Sequence, residues 1–337
     1  MSKIATVFLD LISRRIEQKG WVDIENEYYR LIKYYALQSK RKSIIPDSDL
    51  GGRPAYCNPL TLNENLSCLQ KILLEYLKEV TKNASSLPVL TGSMKEPIRY
   101  DEIAVSKQHL YREYCDSMLS QPSSSLRFHW HKFRKDDANC FIEFESFKRQ
   151  LENLEKNKDS EAPKFPEHLV FPERILLLTF NYTSISDLYL EDNNPYIEIN
   201  HIHGRLDTPE SVIFGYGDEL DEDYLEIRNL NENEYLKNIK SIKYLETPNY
   251  RSLLSFIESS PYQIYIWGHS CGNSDRTLLN TLFEHKNCIS IKPFYYRKSN
   301  GTDNYLEIIQ NISRNFTDMK LMRDIVVNKS LCRPLLG

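Results

Sequence analysis

Side chains able to do acid–base or ligand chemistry gather in three short blocks of this sequence. The first is Leu178-Thr179-Phe180-Asn181-Tyr182-Thr183 and the second Asn200-His201-Ile202-His203-Gly204. The third is Trp267-Gly268-His269-Ser270-Cys271-Gly272-Asn273-Ser274-Asp275. His201 and His203 stand two apart, and on a strand such positions share a face. Their imidazoles then have two uses. One is a metal pair completed by Asp187, Asp207, His269 or Asp275, because neutral imidazole is a frequent ligand. The other is a single general base, His203, beside Gly204, whose missing side chain would let a substrate approach the backbone. A buried histidine satisfied by a neighbour is the plainer alternative. Asn181 can donate and accept hydrogen bonds toward a ligand, although an Asn after a strand also serves turn geometry.

In the third block, Gly268 and Gly272 free the backbone on either side of His269-Ser270, and a helix is expected from Asp275. A small-residue turn running into a helix start favours a phosphate, through unpaired N–H groups and the helix dipole. Asp275 would alternatively hold a ribose hydroxyl. Gly268 to Gly272 also fits the Gly-x-Ser-x-Gly pattern of hydrolase nucleophiles. A triad would need a later Asp and then a later His; Asp275 is too close, Asp303 is possible, and the only later histidine, His285, falls inside the next expected helix. Serine hydrolysis is therefore not expected.

The elements that must position these blocks follow from hydrophobic period. A continuous apolar run over 174–180 reads as a central strand, 196–202, 212–214 and 262–267 read as further strands, and 289–295 and 322–327 are available to close the sheet. Helical patterns fall between or after them, over about 222–240, 250–258, 275–285 and 304–312. Strands alternating with helices argue for an α/β fold with a largely parallel, Rossmann-like sheet over 166–337. Ligands bind such sheets at the carboxyl ends of the strands, where all three blocks fall. Residues 1–165 are helix-rich, with amphipathic patterns over 4–16, 21–37, 63–81 and 106–118, and form an insert or pack against the sheet. A Pro- and Gly-rich loop is expected over 43–61. The basic and aromatic run 126–135 is read as a solvated amphipathic face, since Asp136 and Asp137 follow at once.

A chain of 337 residues with net charge -4 has no overall basic field, so a nucleic-acid partner is not indicated. Seven scattered cysteines without a C-x-x-C pair form neither a zinc ribbon nor a disulfide framework. No secretory signal or membrane span is read, and a reducing cytoplasm is the expected compartment.

Taken together, Phe180-Asn181-Tyr182-Thr183, His201-Ile202-His203-Gly204, Phe214-Gly215 and Gly268-His269-Ser270 with Asp275 resemble the bacteriophage abortive-infection AbiH family. The segment Trp21-Val22-Asp23-Ile24-Glu25 and the helix over 69–80 look like earlier parts of that family. The family is in turn similar to sirtuin-like NAD-binding proteins. The resemblance implies a defence role and a sirtuin-like nucleotide pocket in which NAD is the ligand, with no metal expected. Asn181 would touch the nicotinamide-side ribose and His203 would act as general base. Gly204, Gly268, His269, Ser270 and Asp275 would line the dinucleotide. Family members usually open with a strand and a Gly-Asn-Gly-Phe-Asp turn, which has no counterpart near Met1, and Gly51-Gly52 lacks a strand before it. A sheet without that strand would offer an unpaired edge to a second copy or another chain. A non-catalytic defence subunit and a metal-dependent hydrolase using His201 and His203 are the alternatives.

Overall fold

The computed structural model describes residues 6–19, 22–37, 58–86, 88–131, 137–156, 164–190 and 196–336. Most of the loop expected over 43–61, including Gly51-Gly52, lies outside them. So do residues 132–136, with the basic Lys132, Arg134 and Lys135.

The first half is helical: α1 (Thr6–Lys19), α2 (Ile24–Leu37), α3 (Pro59–Val80), α4 (Pro88–Met94), α5 (Gln108–Ser120), α6 (Ser123–His131) and α7 (Asp137–Lys156). Helix α3 starts where its sequence dictates. The Asn58 side chain accepts from the Thr61 N–H at 2.9 Å, and Pro59 occupies a first-turn position where no N–H is needed. Its apolar stripe is only partly covered, for Leu62 and Leu66 are buried while Ile72, Tyr76 and Val80 stay exposed. In α6, Trp130 is fully buried against Phe144 and its indole N–H donates to the Leu169 carbonyl, so Trp130 and Leu126 of run 126–135 belong to the core while Phe128 stays exposed.

The second half alternates as expected. Strand β1 (Ile175–Thr179) and β2 (Ile197–His201) are followed by the short helices α8 (Glu222–Arg228), α9 (Asn233–Leu236) and α10 (Lys240–Lys243). Then come α11 (Asn249–Ser259), β3 (Tyr262–Trp267), α12 (Arg276–Phe283), β4 (Cys288–Phe294), α13 (Tyr305–Arg314) and α14 (Met319–Ile325). All pairing between these strands is parallel, β1 with β2 and β3 with β4.

Four expectations need correction. The strands form two separate two-stranded sheets rather than one large Rossmann sheet, and among the described residues β1 and β3 are not paired. Residues 212–214 are not a strand, because the Ile213 N–H is spent on the His203 carbonyl in the turn after β2. Residues 322–327 lie mostly in α14, started by Asp318, whose carboxylate accepts from the Lys320 and Leu321 N–H groups. Only Val326 bridges β4, at Ile291. The long helix expected over 222–240 is also broken, with Asn231 in the left-handed region at φ 57°.

The two half-sheets nevertheless share a core. Leu176, Leu178 and Phe180 from β1 and its end pack into the same cluster as Ile264 and Ile266 of β3, over Leu253 and Ile257 of α11 and Leu278 and Leu282 of α12. A second cluster joins α1, α2 and α3 to Phe214, Tyr216 and Ile239. Helices α1 to α3 are thereby packed onto the segment that leads to Lys240. Among the described residues, no helix is long and apolar enough to cross a membrane.

Candidate functional site

The strand ends converge. Phe180, one residue past β1, lies against two imidazoles, with ring centroids 5.4 Å from His203 and 4.1 Å from His269. His203 follows β2 and His269 follows β3, so one aromatic ring ties the carboxyl ends of three strands together. Below this contact sits Asp275, which the turn after β3 delivers into the interior.

Asp275 is the hub. Its Oδ1 is 2.7 Å from Lys240 Nζ and 3.2 Å from His203 Nε2, and its Oδ2 is 3.6 Å from His269 Nε2. Lys240 also reaches Glu25 of α2 at 2.8 Å, and the other Glu25 oxygen accepts from the Gly215 N–H at 3.0 Å. His203 Nε2 lies 3.2 Å from the Tyr244 hydroxyl, and the two rings stack. Lys240 is 1% exposed and His203 3%. Taking charges this far from water costs several kcal/mol per ion, which the mutual attraction offsets only when every group is paired.

The electrostatics follow from one cation between two carboxylates. Burial alone would raise the Asp275 pKa, but Lys240 and the two imidazoles reverse this and hold it well below the usual carboxylate range. Lys240 behaves in the mirror sense: burial opposes its charge, and Asp275 with Glu25 pushes its pKa well above the ordinary lysine value. Glu25 is the loser. Burial, only partly offset by Lys240, raises it to about 7. His203 is pushed down by burial and by Lys240, against the pull of Asp275, so its neutral form is favoured. A neutral imidazole that donates from Nε2 to a carboxylate carries its lone pair on Nδ1, the arrangement of a general base oriented by an acid.

Local backbone explains how these groups are aimed. Lys240 is set by a parallel bridge between Tyr216 and Ile239, in which the Tyr216 N–H donates to the Asn238 carbonyl and the Lys240 N–H to the Tyr216 carbonyl. This passage requires glycine at 215, since a Cβ there would stand 2.0 Å from the Asn238 oxygen. Gly268 adopts φ +69° and a Cβ on it would meet only Leu335, at 4.0 Å, so its backbone is approachable. Gly204, expected to admit a ligand, does not: at φ +82° its missing side chain makes room for the Ser211 carbonyl, 2.2 Å from where a Cβ would stand. It is a turn glycine.

Of the residues singled out from sequence, His203, His269 and Asp275 are brought into contact. Asn181 and Ser270 are exposed, the next residues along from Phe180 and His269, and neither touches the buried cluster. The histidine pair is split. His201 is committed to the Asp187 carboxylate at 3.3 Å and to Arg205 at 3.2 Å, while His203 belongs to Asp275. Among the described residues, no group of three or more His, Cys, Asp or Glu side chains is placed to hold a metal ion. The serine triad does not assemble either, because His285 pairs with Glu258 and Asp303 with Lys329. Sequence reasoning missed Lys240, Glu25 and Tyr244. Nothing local distinguishes Lys240 from Lys237 or Lys243, so only the tertiary bridge to Tyr216 reveals it.

An α/β chain with short parallel sheets and a buried carboxylate–ammonium–imidazole cluster at their carboxyl ends is the class defined here. The model of the family described as bacteriophage abortive infection AbiH matches residues 2–296, and the chain belongs to that family. No curated protein and no solved structure matches it. Family membership carries a role in phage abortive infection.

Proposed function

We propose that this abortive-infection protein binds a nucleotide at the strand ends and cleaves the nicotinamide glycosidic bond of NAD. The observation that carries the proposal is Asp275, bridged by Lys240, His203 and His269 where β1, β2 and β3 end. Perturbed titratable groups held together at such a place are the usual mark of a reactive site. The approachable backbone at Gly268 suits a phosphate of the dinucleotide, with exposed Asn181 and Ser270 at the rim for ribose hydroxyls.

In the reaction, water attacks the anomeric carbon as its bond to the pyridine nitrogen breaks. Nicotinamide leaves with the bonding pair as a neutral base, ADP-ribose forms, and the water proton passes to Nδ1 of His203 and then to solvent. Asp275 holds the imidazole in the required tautomer and stabilises its cation. The test is incubation with NAD and separation of products for wild type and His203→Ala. Nicotinamide release that falls by roughly 10²–10⁴ in the variant supports the proposal. No release by the wild type at any NAD concentration overturns it.

The near-complete burial of His203 and Lys240 favours one other reading, a defence subunit in which the cluster is structural and no turnover occurs. It requires His203→Ala, where folded, to leave phage protection unchanged. A partner chain fits either reading. Among the described residues β1 pairs only with β2 and β3 only with β4, so strand edges are left on which an extended segment of a second copy or another protein could pair.

A further inference from the structure

The turn carrying His269 is fastened from behind by α13 and the residue after it. The Asn311 side-chain amide donates to the Ser270 carbonyl at 2.8 Å, and the Asn315 amide donates to the Cys271 carbonyl at 2.9 Å. Cys271 is held in the left-handed region at φ 52°, a conformation that is strained for a non-glycine residue. The Cys271 N–H donates to His269 Nδ1 at 3.0 Å.

Ser270 C=O and Cys271 N–H belong to one peptide plane, and in a trans peptide they point in opposite directions. Fixing the carbonyl on Asn311 therefore aims the N–H at His269. Once Nδ1 accepts that bond, the proton of the neutral ring must sit on Nε2, which faces Asp275 Oδ2 at 3.6 Å.

We infer that Asn311 is a positioning residue for His269: through the Ser270–Cys271 peptide it selects the tautomer with the proton on Nε2 and turns that proton toward Asp275. The selection is relayed by hydrogen bonds from the surface of α13 to the buried carboxylate. It rests on the proposed site for its importance but not for its test, which reads the resting protein without substrate.

Two variants separate the relay from simple loss of fold. Asn311→Asp keeps the shape and an acceptor for Arg314, its present neighbour on the helix, but presents no donor to the Ser270 carbonyl. Asn311→Ala removes the side chain beyond Cβ from a half-buried position. Ser313→Ala, whose hydroxyl donates only to the Gln310 carbonyl, serves as the control on the same helix. Long-range proton–nitrogen correlation spectra of histidine-labelled protein, at a pH where the ring is neutral, report the tautomer directly. Wild type and Ser313→Ala are expected to show His269 with the proton on Nε2 alone, and both Asn311 variants a mixture of the two tautomers. A single Nε2–H form retained in either folded Asn311 variant, or its absence from wild type, overturns the inference. NAD cleavage is read separately, so that failure of the proposed reaction leaves this result standing.

Discussion

Glu25→Gln tests the charge cluster most sharply, because its effect has a sign that few surface contacts would produce. Glu25 titrates at about 7 in the folded protein, raised by burial from an ordinary value near 4.5. Between those two pH values the folded chain holds a proton that the unfolded chain has released, so unfolding is opposed at low pH. The contribution is complete below about 4.5 and lost as pH rises through about 7. At 1.36 kcal/mol per pH unit the loss is roughly 3 kcal/mol. With an unfolding entropy of roughly 2.1 cal/mol/K per residue, 337 residues translate the roughly 2.5 kcal/mol lost between about pH 5 and about pH 8 into a fall in midpoint temperature of about 3–4 °C. The substituted amide would keep an acceptor for the Gly215 N–H, and Lys240 would keep Asp275, so the variant should fold. His203 works in the opposite direction, since its folded form is favoured neutral and its contribution grows with pH. Because His203 is present in both chains, the wild-type-minus-variant difference isolates Glu25. Thermal or urea unfolding across this pH range should show the difference falling toward alkaline pH. A flat difference, or one that rises, would mean that Glu25 does not compete with Asp275 for the single ammonium group.

Lys240→Met should destabilise the protein by roughly 3–5 kcal/mol in urea unfolding, because Asp275 and Glu25 are left as buried carboxylates without their cation. A loss below about 1 kcal/mol would show that water reaches the cluster. Gly204→Ala should cost roughly 2–4 kcal/mol and Gly268→Ala roughly 1–2 kcal/mol, since both sit at positive φ but only Gly204 is closed in by Ser211; equal losses would contradict that packing. His201→Ala should leave nicotinamide release within a few-fold of wild type while His203→Ala lowers it by roughly 10²–10⁴, because the two imidazoles serve different carboxylates. Equal loss in both would restore a paired-histidine site.

Much of this was legible in the residues alone. Apolar runs of strand length located β1, β2, β3 and β4 within a residue or two, because a short apolar-rich run bounded by turn residues declares a strand from consecutive residues alone. The three polar blocks marked the strand ends for the same reason: small and polar residues there have no place in a sheet interior. What the chain could not declare locally was pairing. Whether β1 lies beside β3 depends on hydrogen bonds between residues far apart in the chain, and the structure leaves the two unpaired. Nor could spacing separate His201 from His203, since period two puts them on one face whatever each then meets. Lys240 and Glu25 are 215 residues apart and are joined only because α2 packs on the segment that turns at Gly215. Local period is written in consecutive residues, whereas the partner of a buried charge is chosen by the packing of distant ones.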